Sequence, residues 1–170
     1  MKVPVFVSCP TALSPEQEAA RSRIVAFLDS LNMEPRALGR SDYPTEFPLR
    51  EVYVIAKHCS GGVILGFEQL RVTTGVNKPG TRGEKAINHK AAVSIPSPWN
   101  HLEAGILFGL GIPLLIFRQS GVSGGVFDNG VTDVFVQTIH PGAPTESDDQ
   151  ALKEVFLKWH ANVREHYYGR

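Results

Sequence analysis

One acidic residue stands in an otherwise apolar segment near the middle of the chain. Glu103 lies within the run SPWNHLEAGILFGLGIPLLIF, four residues after Trp99. Ser97 can cap a helix here and Pro98 suits the first helical position, so Trp99 and Glu103 fall on one helical face. An apolar neighbour such as an indole raises the pKa of a carboxyl group. A glutamate in this setting can stabilise or attack the anomeric carbon of a sugar, which predicts glycosyl-transfer chemistry with Glu103 as the catalytic residue.

The same residues also have a purely structural interpretation. Ser97 would then be only a helix cap, Trp99 a core residue, and Glu103 an acid on the solvent edge of the helix. The two interpretations differ in where these side chains lie, and that depends on the elements that position them.

The surrounding pattern predicts strands that alternate with helices. Short apolar runs typical of buried parallel strands occupy residues 3–7, 63–65, 113–117 and 134–136, with an extended segment near 35–38. Helical patterns follow Ser14, cover 49–56, begin at Ser97, and close the chain after a cap at Asp148 or Asp149. Because right-handed crossovers place helices on both faces of a parallel sheet, we predict an α/β fold. It is a flavodoxin-like three-layer sandwich of about five parallel strands in the order 2-1-3-4-5.

One long segment interrupts this alternation. Residues 68–96 show no clear helical period, and we predict an insertion at this place within a single domain that spans residues 1–170. The insertion has more basic than acidic residues, which suits contacts with phosphates or a partner chain. A solvated loop also explains these charges.

A sheet of this order binds its ligands beyond the carboxyl ends of the strands, at the switch point between strands 1 and 3. The residues that follow strand 1 are candidates for contacts with phosphate or sugar: Ser8, Cys9 and Pro10. A plain turn at the strand end explains them equally well. Cys9 is not expected to act as a nucleophile, because the sequence shows no base positioned to activate it.

The loop after strand 2 supplies a second group of candidates. Arg40 and Asp42 suit a pyrophosphate and a ribose hydroxyl, and Tyr43 offers a face for stacking. The alternative is a solvated turn closed by Asp and Pro.

The amino-acid composition limits which classes of function are expected. Lys plus Arg and Asp plus Glu both number 17, which argues against binding to nucleic acid or to an anionic membrane. The two cysteines make no disulfide framework, no apolar run is long enough to span a bilayer, and the first residues do not read as a signal peptide. We therefore expect a cytoplasmic protein. The six histidines show no metal-ligand spacing, so no metal site is predicted.

The pattern Ser97-x-Trp99-x-x-x-Glu103 resembles the catalytic motif of TIR (Toll/interleukin-1 receptor) domains that cleave NAD. The order of elements is similar to that of TIR domains and of the related nucleoside 2-deoxyribosyltransferases, whose glutamate on the equivalent helix attacks C1 of the sugar. Two features depart from the TIR pattern. Asn100 stands where many TIR enzymes have cysteine, and the 68–96 insertion has no counterpart.

The resemblance implies cleavage of the bond between nicotinamide and ribose, with NAD as substrate and no cofactor. Glu103 would stabilise the positive charge that develops on the ribose, Trp99 would wall the ribose and base, and Ser97 would orient the start of the helix. Hydrolysis would give ADP-ribose, and an internal acceptor would give a cyclic isomer. In bacterial antiphage systems of the Thoeris type, such a product acts on a separate effector. Several TIR enzymes complete their sites with a neighbouring subunit, which implies a homo-oligomer.

Two alternatives remain open. The same fold and the same acid suit a nucleoside 2-deoxyribosyltransferase or a nucleotide N-glycosidase. Asn100 and the basic insertion suit instead a non-catalytic module that binds a nucleotide or assembles with partners.

Overall fold

The architecture comes from a computed structural model that describes residues 2–40, 42, 47–140 and 144–169. The strands are β1 (Val3–Ser8), β2 (Met33–Arg36), β3 (Gly61–Gly66), β4 (Leu70–Val72), β5 (Gly75–Asn77), β6 (Lys85–Ile87), β7 (Val93–Ile95), β8 (Leu114–Gln119) and β9 (Val136–Ile139). The helices are α1 (Pro15–Ser30), α2 (Pro48–His58), α3 (Pro98–Gly109) and α4 (Glu146–Tyr168). Short 3-10 turns cover His89–Ala91 and Gly125–Phe127.

Five strands form the main sheet, and all of its pairings are parallel. Their spatial order is β2-β1-β3-β8-β9. Numbered by their own succession along the chain, these five strands stand in the order 2-1-3-4-5. The predicted topology is confirmed, and its switch point lies between β1 and β3.

Helices cover both faces of this sheet, because successive side chains of a strand point to opposite sides. Val5 and Val7 of β1 belong to the apolar core that α1 and α4 cover, whereas Phe6 belongs to the core under α2 and α3. The first core holds Ile24 of α1 and Phe156 of α4. The result is the predicted three-layer sandwich.

Helix α4 approaches the sheet closely at a glycine. A Cβ at Gly61 would lie 2.7 Å from both Trp159 Cζ2 and Val163 Cγ2. The Trp159 indole also donates a hydrogen bond to the Pro113 carbonyl at 3.0 Å. The missing side chain at Gly61 therefore makes room for the indole against the first residue of β3.

Two element boundaries differ from the prediction. Helix α4 is capped by Thr145, not by Asp148 or Asp149, because Thr145 Oγ1 accepts a hydrogen bond from the Asp148 amide at 3.2 Å. Strand β9 begins at Val136, two residues later than the start of the predicted run. The Val136 amide donates to Asn129 Oδ1, and the preceding Phe135 is 82% exposed.

Residues 68–96 form two short antiparallel ladders. Strand β4 pairs with β7, and β5 pairs with β6. Glu68 stabilises the ladder of β4 and β7, because its carboxylate accepts hydrogen bonds from Arg71 Nε and Ser94 Oγ. Among the described parts of the chain, none of the helices has both the length and the apolar character needed to cross a bilayer.

Candidate active site

Helix α3 begins as its sequence predicts. Ser97 is the N-cap, its hydroxyl accepts a hydrogen bond from the Trp99 amide at 3.3 Å, and Pro98 occupies the first turn. Trp99 is 40% exposed, whereas Glu103 is only 8% exposed. The structural interpretation predicted the reverse, a core tryptophan and a solvent-edge acid. Glu103 instead points into the protein.

The carboxylate of Glu103 is held by a hydrogen-bond chain that begins on the same helix. Asn100 Nδ2 donates to Ser8 Oγ at 2.7 Å, and the Ser8 hydroxyl donates to the Glu103 carboxylate. Ser8 is the last residue of β1 and is 1% exposed, as is Asn100. The chain therefore ties the acid of α3 to the carboxyl end of the first strand.

Burial controls the protonation of this acid. Desolvation raises the pKa of Glu103 from 4.5 to about 7, and the hydrogen bond from Ser8 acts in the opposite direction because it stabilises the ionised form. A carboxyl group with this pKa exchanges its proton near neutral pH. Such a group can serve either as a nucleophile or as an acid, depending on pH.

Glu103 borders a cavity of about 410 Å³ at the switch point. The wall consists of residues from the ends of β1 and β2, the start of α2, the start of the insertion and the first turns of α3: Cys9, Pro10, Thr11, Ala12, Leu38, Gly39, Pro48, Gln69, Ser97, Trp99, Asn100 and Glu103. Among the described residues that line the cavity, Glu103 is the only carboxylate. The cavity is where a flavodoxin-like sheet of this order binds its ligands.

The candidates after strand 1 lie at this cavity. Cys9 and Pro10 form part of the wall, and Ser8 holds Glu103 from beneath it. Burial raises the pKa of the Cys9 thiol to about 12, so the reactive thiolate is scarce at neutral pH. This agrees with the expectation that Cys9 is not a nucleophile.

Two of the candidates after strand 2, Arg40 and Asp42, pair with other residues of the protein. Arg40 Nη2 donates to the carbonyls of Pro10 and Thr11 at 3.0 and 3.2 Å, and it also lies 3.6 Å from a carboxylate oxygen of Glu18. Asp42 accepts a hydrogen bond from Arg36 Nε at 2.9 Å. Neither Arg40 nor Asp42 belongs to the cavity wall, and Tyr43 lies outside the described residues. Their roles in binding stay predictions.

Two amide side chains of the wall, those of Gln69 and Asn100, were not singled out as site residues by the sequence. In the sequence, Asn100 differs from its neighbours only as a departure from the TIR pattern. It nevertheless lies three residues before Glu103, so both side chains are on one face of α3. Gln69 carried no signal of its own. Its Nε2 donates to the Ala12 carbonyl at 3.4 Å and so joins the insertion to the loop after β1.

His101 lies between Trp99 and Glu103 in the sequence, but its ring faces another part of the protein. The His101 ring packs edge-on against Phe127, with 5.2 Å between ring centroids, and burial lowers the pKa of His101. Within the described ranges, no three His, Cys, Asp or Glu residues are grouped so that they could hold a metal ion.

Comparison with known proteins supports the fold. The sequence matches no protein-family model and no curated protein. The structure is similar to that of the CMP N-glycosidase BcmB of Clostridium botulinum, with a TM-score of 0.51 and 13% sequence identity. The similarity covers 90% of this chain and 98% of that one. The chain therefore shares its α/β architecture with an enzyme that cleaves an N-glycosidic bond.

Proposed function

We propose that this protein is an N-glycosidase that cleaves the bond between the base and the sugar of a nucleotide. The observation that carries the proposal is the buried carboxylate of Glu103, which is held by Ser8 at the wall of the switch-point cavity. The similarity of fold to a CMP N-glycosidase supports the same class of reaction.

In this reaction, the ionised Glu103 carboxylate faces the anomeric carbon. An oxygen of Glu103 forms a bond to C1′ while the bond from C1′ to the base nitrogen breaks, and the electron pair of that bond leaves with the base. The base takes up a proton from solvent. Water then hydrolyses the glycosyl ester, which releases the sugar and restores the carboxylate.

Trp99 and the hydrogen-bond chain have separate tasks in this reaction. The half-exposed indole of Trp99 offers a face on which a base can stack beside the acid. Ser8 keeps the Glu103 carboxylate oriented and favours its ionised form. Oriented, partly desolvated charge at the site of the developing cation is the main source of rate enhancement in such sites.

NAD is a second candidate substrate, and the spacing of Ser97, Trp99 and Glu103 favours it. Through its resemblance to NAD-cleaving TIR domains, the protein would release nicotinamide and form ADP-ribose or a cyclic isomer. In that case, the product would signal to a separate effector in antiphage defence, and a second copy of the chain would complete the site.

One experiment distinguishes these substrates. Concentrated protein is incubated with CMP, with the other ribonucleoside monophosphates, with deoxynucleosides and with NAD, and the products are resolved by chromatography. We expect the wild type to release free base and Glu103→Gln to release none. The matched control is Glu154→Gln, which removes an exposed carboxylate of α4. Equal base release by wild type and Glu103→Gln would disprove the role of Glu103.

A further inference from the structure

The amide oxygen of Asn100 is a buried acceptor that no described residue satisfies. Asn100 is 1% exposed, and it belongs to the wall of the cavity that contains Glu103. Buried polar atoms in native proteins are almost always hydrogen-bonded, because an unpaired one destabilises the fold. Because Asn100 borders the cavity, a bound ligand can bring the missing donor.

The orientation of this amide follows from its neighbours. The Ser8 hydroxyl has one proton, and it donates that proton to the Glu103 carboxylate. Ser8 Oγ can therefore only accept from Asn100, which requires Nδ2 to face Ser8 at 2.7 Å. Oδ1 must then point away from Ser8, and only a hydroxyl or an N–H group can pair with it.

The position of Asn100 on α3 selects which substrate group can reach it. Asn100 and Glu103 are three residues apart on one helix, so their side chains are neighbours on the same face. When the Glu103 carboxylate faces C1′ of the sugar, the nearest donor on the sugar is the hydroxyl of the adjacent carbon C2′. The ring oxygen on the other side of C1′ carries no proton.

We infer that Asn100 Oδ1 accepts a hydrogen bond from the 2′-hydroxyl of the substrate, so that the site takes ribosides in preference to 2′-deoxyribosides. This inference rests on the proposed function and names its substrate class. Asn100 is then a specificity-determining residue. A site built around a substrate hydroxyl rejects the analogue that lacks it, because the buried acceptor stays unpaired.

The test compares paired substrates that differ only in the 2′-hydroxyl. The kcat/KM values for CMP and dCMP, and for adenosine and 2′-deoxyadenosine, are measured with the wild type, with Asn100→Leu and with Gln69→Leu. We expect the wild type to prefer the cleaved riboside by roughly 100-fold or more. In Asn100→Leu the preference should fall to within about tenfold, because the riboside loses its bond to Oδ1 in addition to the effect of the lost Nδ2–Ser8 bond, which both substrates share.

Gln69→Leu is the matched control, since it removes another amide from the same cavity wall. It should leave the preference unchanged. A general structural defect in Asn100→Leu would slow both members of a pair equally and would leave their ratio intact. An unchanged ratio in Asn100→Leu would overturn the inference, as would a wild type that cleaves the 2′-deoxyriboside at least as fast. The second of these outcomes needs no variant at all.

A binding measurement separates this inference from the proposed function. Glu103→Gln is titrated with the same four compounds, and the fluorescence of Trp99 at the cavity reports binding. Tighter binding of the ribosides, lost in the double variant Asn100→Leu/Glu103→Gln, supports the inference without any turnover. Equal binding within a pair overturns the inference alone. Absence of both binding and cleavage for every nucleoside and nucleotide overturns the proposed function and the inference together.

Discussion

The hydroxyl of Ser8 donates a hydrogen bond to the carboxylate of Glu103 and so joins the end of β1 to the second turn of α3. Two opposing effects meet at this contact. Desolvation favours the protonated acid, whereas the hydrogen bond favours the ionised one. Their balance leaves the pKa of Glu103 at about 7, within the range where a small change in surroundings alters the charge of the site.

The pH dependence of cleavage is expected to report this balance. Because the reaction needs the ionised carboxylate, kcat/KM should rise with pH up to about 7 and level off above it. Ser8→Ala removes the donor that favours ionisation, so its midpoint should move to higher pH. Ser30→Ala is the control, since its hydroxyl only donates to the Phe27 carbonyl at the exposed end of α1. Identical midpoints for Ser8→Ala and the wild type would refute this role of Ser8.

The free energy of unfolding should also depend on the ionisation of Glu103. It should fall as the pH rises, whereas activity should rise. Below pH 4.5, Glu103 is protonated in both the folded and the unfolded chain and carries no penalty. As the pH rises from 4.5 to about 7, Glu103 ionises in the unfolded chain but stays protonated in the folded one. The free energy of unfolding therefore decreases over this range. At pH 8, this difference in pKa lowers the free energy of unfolding by about 3 kcal/mol.

Glu103→Gln abolishes this titration, because glutamine stays neutral. We expect the variant to become more stable than the wild type by a margin that grows between pH 4.5 and pH 8, as measured by urea denaturation. Glu154→Gln should show no such growth. A pH-independent difference between Glu103→Gln and the wild type would mean that the acid is not desolvated in the fold.

The close contact between α4 and Gly61 of β3 gives a prediction about packing. A methyl group at Gly61 would overlap Trp159 and Val163, so Gly61→Ala should lower the free energy of unfolding by about 1–3 kcal/mol. Gly105→Ala is the matched control in α3, because nothing lies within 4 Å of its added Cβ. Its helix propensity should instead stabilise the protein by about 0.5–1 kcal/mol. Equal effects of the two substitutions in thermal or urea unfolding would contradict this account.

Much of the fold could be predicted because the signals are local. The buried runs ending at Val7, Leu65 and Phe117 are short and apolar, and each became a central strand. The start of α4 was predicted wrongly because two acids resemble a cap, whereas the capping box uses Asp148 as its third helical residue and Thr145 as its cap. Distinguishing these two registers requires knowing which amide points at which oxygen.

The candidate site was predictable only in part for a related reason. Helical spacing brought Trp99 and Glu103 together, and strand order pointed to the end of β1. The contact between Ser8 and Glu103 depends on how deeply α3 packs against β1, which no local pattern encodes. The same holds for Gln69, whose place in the wall follows from the path of the insertion after β3.

That path also bears on how the protein could be redesigned. The ladder of β4 and β7 pairs Leu70 with Ile95 and Val72 with Val93, so the chain leaves the cavity and returns to it side by side. A tight turn that joins Val72 directly to Val93 would delete the outer hairpin while keeping this ladder, Gln69 and the Ser97 cap. We expect the shortened chain to keep the same chemistry, so that other segments could be inserted between Val72 and Val93 in place of the hairpin of β5 and β6.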